Sequence, residues 1–254
     1  MYQHFAPVYD TFMDTVPYGQ WAGYLHSVFS LHHIGKEALV LDLACGTGTM
    51  ASLMSQKGYE IIGVDASADM LSIAYEKNPA IMLLNQDMRS LDLYGTVDAA
   101  YSTCDAMNYL LTEEDFLVVL KNVALFVENI FVFDLKTENR YRQMGDKTYS
   151  DNTKRRTRSG KSGPSSSYIW KNYYDPSTRI NEYQVQFFIE GNDKEGKNRK
   201  TFAETHRQRA YSIETVTSLA KEAGMDVVSI TDNYTNNPAL ADSDRVVFSL
   251  KKSL

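Results

Sequence analysis

Three short stretches of the chain carry residues whose types and spacing can do chemistry. In Leu39 to Met50, LVLDLACGTGTM, an apolar run passes into Gly46-Thr47-Gly48 and then into a helical pattern. Such a turn lets a ligand approach the backbone with no Cβ in the way, and the following helix points its N-terminus at that ligand. By itself a Gly-x-Gly turn also fits dinucleotide dehydrogenases and ordinary tight turns. Asp42 lies inside the apolar run, where an unpaired carboxylate is costly, so a cation or a set of N–H donors should meet it. A ligand ammonium group is one such partner. Asp65 ends the second apolar run, 19 residues after Gly46, where doubly wound nucleotide folds place a carboxylate on ribose hydroxyls. Facing an empty crevice, it is expected to be largely solvated. Asp87 and Met88 follow the third run; a carboxylate there accepts from an exocyclic amine, and a thioether packs on a flat ring. Together these residues outline a site for a nucleoside with an amino-acid tail.

Other candidates stand further along. His206 shares one strand face with Glu204 and Gln208, where it can take a proton from an amine or hydroxyl or serve as a packed structural histidine. Asp105 and Asn108 follow the fourth apolar run, at the edge where an acceptor pocket forms in such sheets. Tyr9 and Trp21 belong to an aromatic N-terminal segment that either closes as a lid over the ligand or packs a stripe on the core. Cys45 and Cys104 are the two cysteines; neither sits in a CxxC pair or a Cys/His cluster, so no metal site or disulfide framework is indicated.

The elements that must position these residues alternate between β-rich runs and helical patterns. Strands are predicted at Leu39–Leu43, Ile61–Asp65, Ile81–Leu84, Ala99–Thr103 and Ile130–Leu135, with Val227–Ile230 and Arg245–Lys251 closing the chain. Gly58 suits the C-terminus of the first crossover helix, while Thr112 and Ser212 suit the N-caps of two others. Thr137 to Ser167 is polar and basic and reads as a long flexible connection. Three runs rich in aromatic and β-branched residues follow, Tyr168–Tyr174, Ile180–Ile189 and Thr201–Tyr211, predicting an antiparallel meander. The expected architecture is α/β: a Rossmann-like, doubly wound, seven-stranded, mostly parallel sheet with a small antiparallel β insertion after strand five. Residues 1–136 plus 212–254 would form the main domain and 137–211 an inserted lid.

A net charge of −6 argues against a polyanion coating the surface. Yet Lys136 to Lys161 holds nine Lys or Arg against three Asp or Glu, a solvated loop or a local contact for RNA. No apolar run reaches the length of a membrane span, and the first residues do not read as a secretory signal. A cytoplasmic protein without membrane contact is expected.

The motif order then points to a family. Leu41–Gly48 matches hydrophobic-Asp-hydrophobic-x-Cys-Gly-Thr-Gly; GVDASADML, from Gly63, matches a ribose motif; QDMRSL, from Gln86, matches an adenine motif; and Tyr101–Leu110 matches the segment after strand four. In these features the chain resembles class I S-adenosylmethionine-dependent methyltransferases. It is most similar to small-molecule members with an inserted sheet, such as amino-sugar N,N-dimethyltransferases, which share patterns like FAPVYDTFM and FAETHRQRAYS. The resemblance implies S-adenosylmethionine as cofactor, with Asp42 and Gly46, Thr47 and Gly48 at its methionine end, Asp65 on the ribose, and Met70, Asp87 and Met88 around the adenine. Ala44, Ala66 and Thr103 complete the expected cofactor-binding set, and Tyr9 and Trp21 would close near the sulfonium. It implies methyl transfer to nitrogen or oxygen of a small-molecule acceptor, with His206 as candidate base; nucleic acid is disfavoured as a partner and a homodimer is left open. Met13 stands where the amino-sugar subgroup carries a tyrosine, which weakens the transfer of substrate identity. An RNA methyltransferase, a noncatalytic cofactor-binding protein and a dehydrogenase are the competing readings.

Overall fold

The computed structural model describes residues 6–153, 166–193 and 196–253. Helices α1 (Ala6–Phe12) and α2 (Tyr18–Leu31) precede the strand-helix alternation β1 (Leu39–Leu43), α3 (Thr49–Gln56), β2 (Glu60–Asp65), α4 (Ala68–Lys77), β3 (Met82–Asn85), β4 (Val97–Ser102), α5 (Glu113–Phe126) and β5 (Val127–Lys136). The chain continues through α6 (Glu138–Met144), β6 (Thr148–Thr153), β7 (Ser166–Asp175), β8 (Ile180–Asp193) and β9 (Gly196–Arg209), and ends with α7 (Ile213–Glu222), β10 (Met225–Asp232) and β11 (Arg245–Lys252). Seven strands form one sheet in the order β10-β11-β5-β4-β1-β2-β3. Strands β1 to β5 are parallel, and β11 runs antiparallel to both β5 and β10. The order reverses between β1 and β4, and the crevice beside that switch point is where such sheets take ligands.

Alternation along β1 shows why the sheet is covered on both faces. Leu41 and Leu43 join a core with α5 and α7, whereas Val40 joins the opposite core with α2 and α3. On α5, Phe116, Val119, Leu120 and Val123 are all fully buried, the spacing of one helical face. Ser67, Thr112 and Ser212 cap helix starts, each accepting an N–H three residues on, so the predicted caps at Thr112 and Ser212 stand. Gly58 follows α3 with φ of 100°, as its predicted C-terminal role requires.

A second sheet, β6-β7-β8-β9, is antiparallel throughout. Its covered face holds Tyr183, Val185 and Phe187, and Phe12 of α1 packs on Tyr168 and Phe187 with ring centroids 4.8 and 5.2 Å away. The stretch read as flexible corrects in part. Glu138–Met144 is a helix capped by Thr137, whose hydroxyl accepts the Arg140 N–H, and Thr148–Thr153 is a fourth strand. The helix escaped periodicity because one residue anchors it: Tyr141 is fully buried and donates to Gln208 at 2.8 Å. Strand β6 is held through its backbone ladder with β7, which polar sequence does not disclose. Residues 154–165, the centre of the basic stretch, lie outside the described residues.

The two sheets meet at a buried charge cluster. Asp105 accepts from Lys136 Nζ at 3.0 Å, Arg245 Nη2 at 2.8 Å and Gln208 Nε2 at 2.7 Å. Arg245 also pairs with Asp134, which accepts the Asp105 backbone N–H. Burial raises the Asp105 carboxyl, but Lys136 and then Arg245 outweigh it and hold it well below the usual carboxylate range. Two acids face two cations, so deleting one cation strands a buried charge. Arg245→Ala is therefore expected to lower unfolding free energy by about 3–5 kcal/mol, read by denaturant titration. A loss under about 1 kcal/mol would show that the cluster is effectively solvated.

Candidate active site

A cavity of about 680 Å³ opens at the C-terminal ends of β1, β2, β3 and β4. Its walls include Tyr9, Ala44, Gly46, Asp65, Ala66 and Met70, with Asp87, Met88 and Thr103 opposite, so most residues singled out as cofactor-binding converge on one space. The loop after β1 is shaped for this. Ala44 and Gly46 have φ of 63° and 54°, left-handed values that bend the backbone sharply. No atom lies within 4 Å of where a Cβ on Gly46 would stand, which leaves open space on the cavity side. Asp65 holds that loop: one carboxylate oxygen accepts the Gly46 N–H and the other the Ser67 N–H, both at 2.8 Å. Burial pushes its pKa up, and the two N–H bonds oppose the shift. Asp65 is thus a half-buried clamp between two loops and not the solvated carboxylate expected.

Five sequence expectations change with the geometry. Asp42 does not reach the cavity; it is 1% exposed and accepts from Tyr101 Oη at 3.0 Å, because residue 42 shares the β1 face that packs under α2 and α3. Gly48 also turns away: a Cβ there would stand 2.9 Å from that of Ala74, so this glycine permits close packing of α3 on α4. The Thr47 hydroxyl donates to Asp10 at 2.6 Å and accepts from Lys77, committing its side chain to α1 and α4. Trp21 stacks on Tyr234 at 4.4 Å with the Arg245 guanidinium 5.1 Å from its ring; it is a core residue, and Tyr9 alone of the aromatic pair lines the cavity. Asp105 and Asn108, expected in an acceptor pocket, are buried instead in the charge cluster and in bonds from Asn108 Nδ2 to the Lys136 and Arg209 carbonyls.

Asp87 lines the cavity with its carboxylate engaged by Arg89, whose Nη2 donates at 2.6 Å and whose backbone N–H and Nε also donate. Those bonds hold Asp87 below its ordinary pKa. His206 is buried with 2% exposure and lies behind the cavity wall, whereas its strand neighbours Thr205 and Arg207 line it. Strand alternation dictates this split, since residues 204, 206 and 208 share the face turned to the main sheet. Tyr109, missed in the sequence, lines the cavity from the turn Ala106–Tyr109; an aromatic in a post-strand turn carries no charge to mark it. Among the described residues no group of His, Cys, Asp and Glu is arranged to hold a metal.

Comparison with known proteins decides the family. Residues 40–128 match the family model described as a methyltransferase domain. YqeM of Bacillus subtilis, named as a methyltransferase, is 32% identical over 260 residues, covering 100% of this chain and 98% of its own. The chain belongs to the S-adenosylmethionine-dependent methyltransferases. A solved S-adenosylmethionine-dependent methyltransferase from Clostridium acetobutylicum shares the fold, with a TM-score of 0.83, 24% identity and coverage of 100% and 99% of the two chains. A dTDP-3-amino-3,6-dideoxy-α-D-glucopyranose N,N-dimethyltransferase from Streptomyces fradiae is 32% identical over 95 residues, 37% of either chain. Membership removes the dehydrogenase reading: this methyltransferase uses S-adenosylmethionine.

Burial pushes the Asp42 carboxyl from 3.8 up to about 7, with the Tyr101 bond opposing. A raised folded-state pKa means the folded protein binds the proton more tightly than the unfolded chain. The resulting stability is present below about pH 4 and is lost as pH rises through about 7. Asp42→Asn escapes that loss, so its stability relative to the parent should climb between pH 4 and 8, by up to about 4 kcal/mol. Thermal melts across that range provide the test; a pH-independent difference would mean Asp42 titrates as an ordinary surface carboxylate.

Proposed function

We propose that the enzyme transfers the methyl group of S-adenosylmethionine to nitrogen or oxygen of a small-molecule acceptor enclosed beneath its second sheet. The observation that carries this reading is the roof of the cavity. Thr205 and Arg207 of β9 and Tyr9 of α1 line the same 680 Å³ space as Asp65 and Met70, so main sheet, N-terminal helix and second sheet together wall one pocket of small-ligand size. That size lies within the roughly 300–1,000 Å³ typical of small-ligand sites. The named acceptor of the Streptomyces fradiae relative, an amino sugar, agrees in kind. In this reading residues 137–211 act as an inserted lid on a cofactor domain built from 1–136 and 212–254. The free thiols of Cys45 and Cys104 suit a reducing compartment, the cytoplasm.

Each side chain has a task. Asp65 spends one lone pair of each oxygen on loop N–H groups and keeps the others for the ribose hydroxyls. Gly46 and Ala44 present backbone to the amino-acid tail, Met70 and Met88 pack against the adenine, and Tyr9 shields the reacting centre from water. When bound, the cofactor supplies a methyl group already activated by a sulfonium. The protein then contributes alignment of the acceptor in line with that methyl, which replaces a bimolecular encounter with a held geometry.

Two measurements test the reading. In calorimetric titration with S-adenosylhomocysteine, Asp65→Ala should bind about 10- to 100-fold more weakly, the loss of charge-assisted bonds to the ribose. The same variant should also melt earlier, because the Gly46 and Ser67 N–H groups lose their acceptor; unchanged affinity would remove Asp65 from the ribose. A panel of aliphatic amines and hydroxy compounds, read by S-adenosylhomocysteine release, should contain acceptors. Silence across the panel from protein that binds the cofactor would overturn a small-molecule acceptor.

A further inference from the structure

We propose that Tyr109, His206 and Glu204 form a proton relay that deprotonates an amine acceptor, with the Tyr109 hydroxyl touching the substrate. The proposal rests on the small-molecule reading above and narrows the acceptor to an aliphatic amine. Tyr109 lines the cavity, and its hydroxyl lies 3.4 Å from His206 Nδ1, the two rings edge-on at 84°. On the far side, His206 Nε2 lies 3.2 Å from Glu204 Oε2, two buried atoms at ion-pair distance that are not aligned as a hydrogen bond. A carboxylate at Nε2 favours the proton there and leaves Nδ1 as an acceptor for the tyrosine O–H. The order from cavity inward is hydroxyl, imidazole, carboxylate.

The fold holds these partners in register. Tyr109 closes the turn Ala106–Tyr109, and Asn108 in that turn donates from Nδ2 to the Arg209 carbonyl at 2.8 Å, binding it to the strand that carries His206. Gln208, two residues from the histidine, donates to Asp105 at the start of the same turn. Tyr183 of β8 stands across the ladder from His206 with ring centroids 5.9 Å apart. Lys136 of β5 places its ammonium 5.9 Å from the Tyr183 ring, and Tyr141 of α6 donates to Gln208. Among the described residues, the charged and titratable groups that these contacts place around the histidine are Glu204 on its own strand, Tyr109, Tyr183 and Tyr141, and the more distant Lys136 and Asp105.

An aliphatic amine enters as an ammonium ion with no lone pair for attack. One N–H proton passes to the Tyr109 oxygen while the tyrosine's own proton passes to His206 Nδ1. The product is a neutral tyrosine and an imidazolium beside the Glu204 carboxylate. The freed nitrogen pair forms the N–CH3 bond as the S–CH3 bond breaks, its electrons staying on sulfur. An alkylammonium of pKa about 10 is acidic enough to yield its proton to a neutral imidazole, whereas an alcohol is far too weak an acid for it. Tyr109 is the group that touches substrate, and His206 and Glu204 act through it.

The test has two arms. In 15N NMR of the full-length protein with the His206 ring in its neutral form, the ring proton should reside on Nε2; a proton on Nδ1 would overturn the relay, because the ring would then donate toward Tyr109. In the second arm, kcat/KM on the panel amines is followed from neutral pH to about pH 10, where free amine accumulates in solution. Tyr109→Phe should fall by about 100-fold at neutral pH, recover toward the parent at the alkaline end, and keep its affinity for S-adenosylhomocysteine. Glu204→Gln should show the same pH dependence with a smaller loss, which keeps the test available if the tyrosine variant folds poorly. A deficit of the same size at every pH would overturn the relay while leaving methyl transfer to amines in place. Turnover on hydroxy compounds with none on amines would overturn the amine acceptor and leave the small-molecule reading standing.

Discussion

Asp105, Asp134, Lys136 and Arg245 share a pocket that water hardly reaches, and each charge is tolerable there only because the others are present. Their attachment points explain its reach: the end of β4, two residues of β5, the first residue of β11, and Gln208 of β9 as neutral donor. Arg245 also lies over the Trp21 ring, which draws α2 into the same arrangement. Sheet, second sheet and N-terminal helices therefore depend on one electrostatic balance. The backbone makes a concession to it. Cys104 and Asp105 are consecutive non-glycine residues with φ of 62° and 53°, a conformation that costs energy and persists where surrounding contacts over-determine it.

That bend sets up the cavity. By turning the chain sharply after β4 it directs Asp105 inward to its cations and brings Tyr109 to the cavity wall four residues later. Asn108 then joins the turn to β5 and β9 through the Lys136 and Arg209 backbones. On the other wall a second set of polar contacts does comparable work: Asp65 clamps the loops after β1 and β2, and Asp10 of α1 meets Thr47 and Lys77. Phe12, two residues on, packs on the second sheet. Helix α1 thus bridges the loop after β1 and the second sheet, which places Tyr9 on the cavity wall between them.

Much of this was legible in the chain. Alternating apolar runs and helical stripes announced the parallel sheet, since burial on both faces demands continuous apolar strands. Thr112, Ser212 and Gly58 announced helix ends, because capping is local chemistry within one turn. The convergence of Ala44, Gly46, Asp65, Asp87 and Met88 was legible too, since residues that end or follow parallel strands arrive at one edge of the sheet whatever packs around them. Helix α6 and strand β6 were not, because one buried tyrosine and a backbone ladder leave no periodic trace.

Side-chain direction belonged to the tertiary structure. Asp42 and Asp65 look alike in the sequence, each a carboxylate within or ending an apolar strand; the register puts both on one face of the sheet, and only depth along the strand decides that one meets Tyr101 in the interior while the other, at the strand end, meets the cavity. Gly46 and Gly48 differ in the same way, one open to a ligand and the other pressed on Ala74 from a helix 26 residues away. Asp105 and Asn108 look like pocket residues because they are polar and follow a strand, but their partners lie 28 to 140 residues distant. Local sequence determines which residues reach the edge of the sheet, through periodicity and capping. Which of them faces a ligand depends on long-range partners that compete for the same lone pairs and protons, and those meet only when the chain has folded.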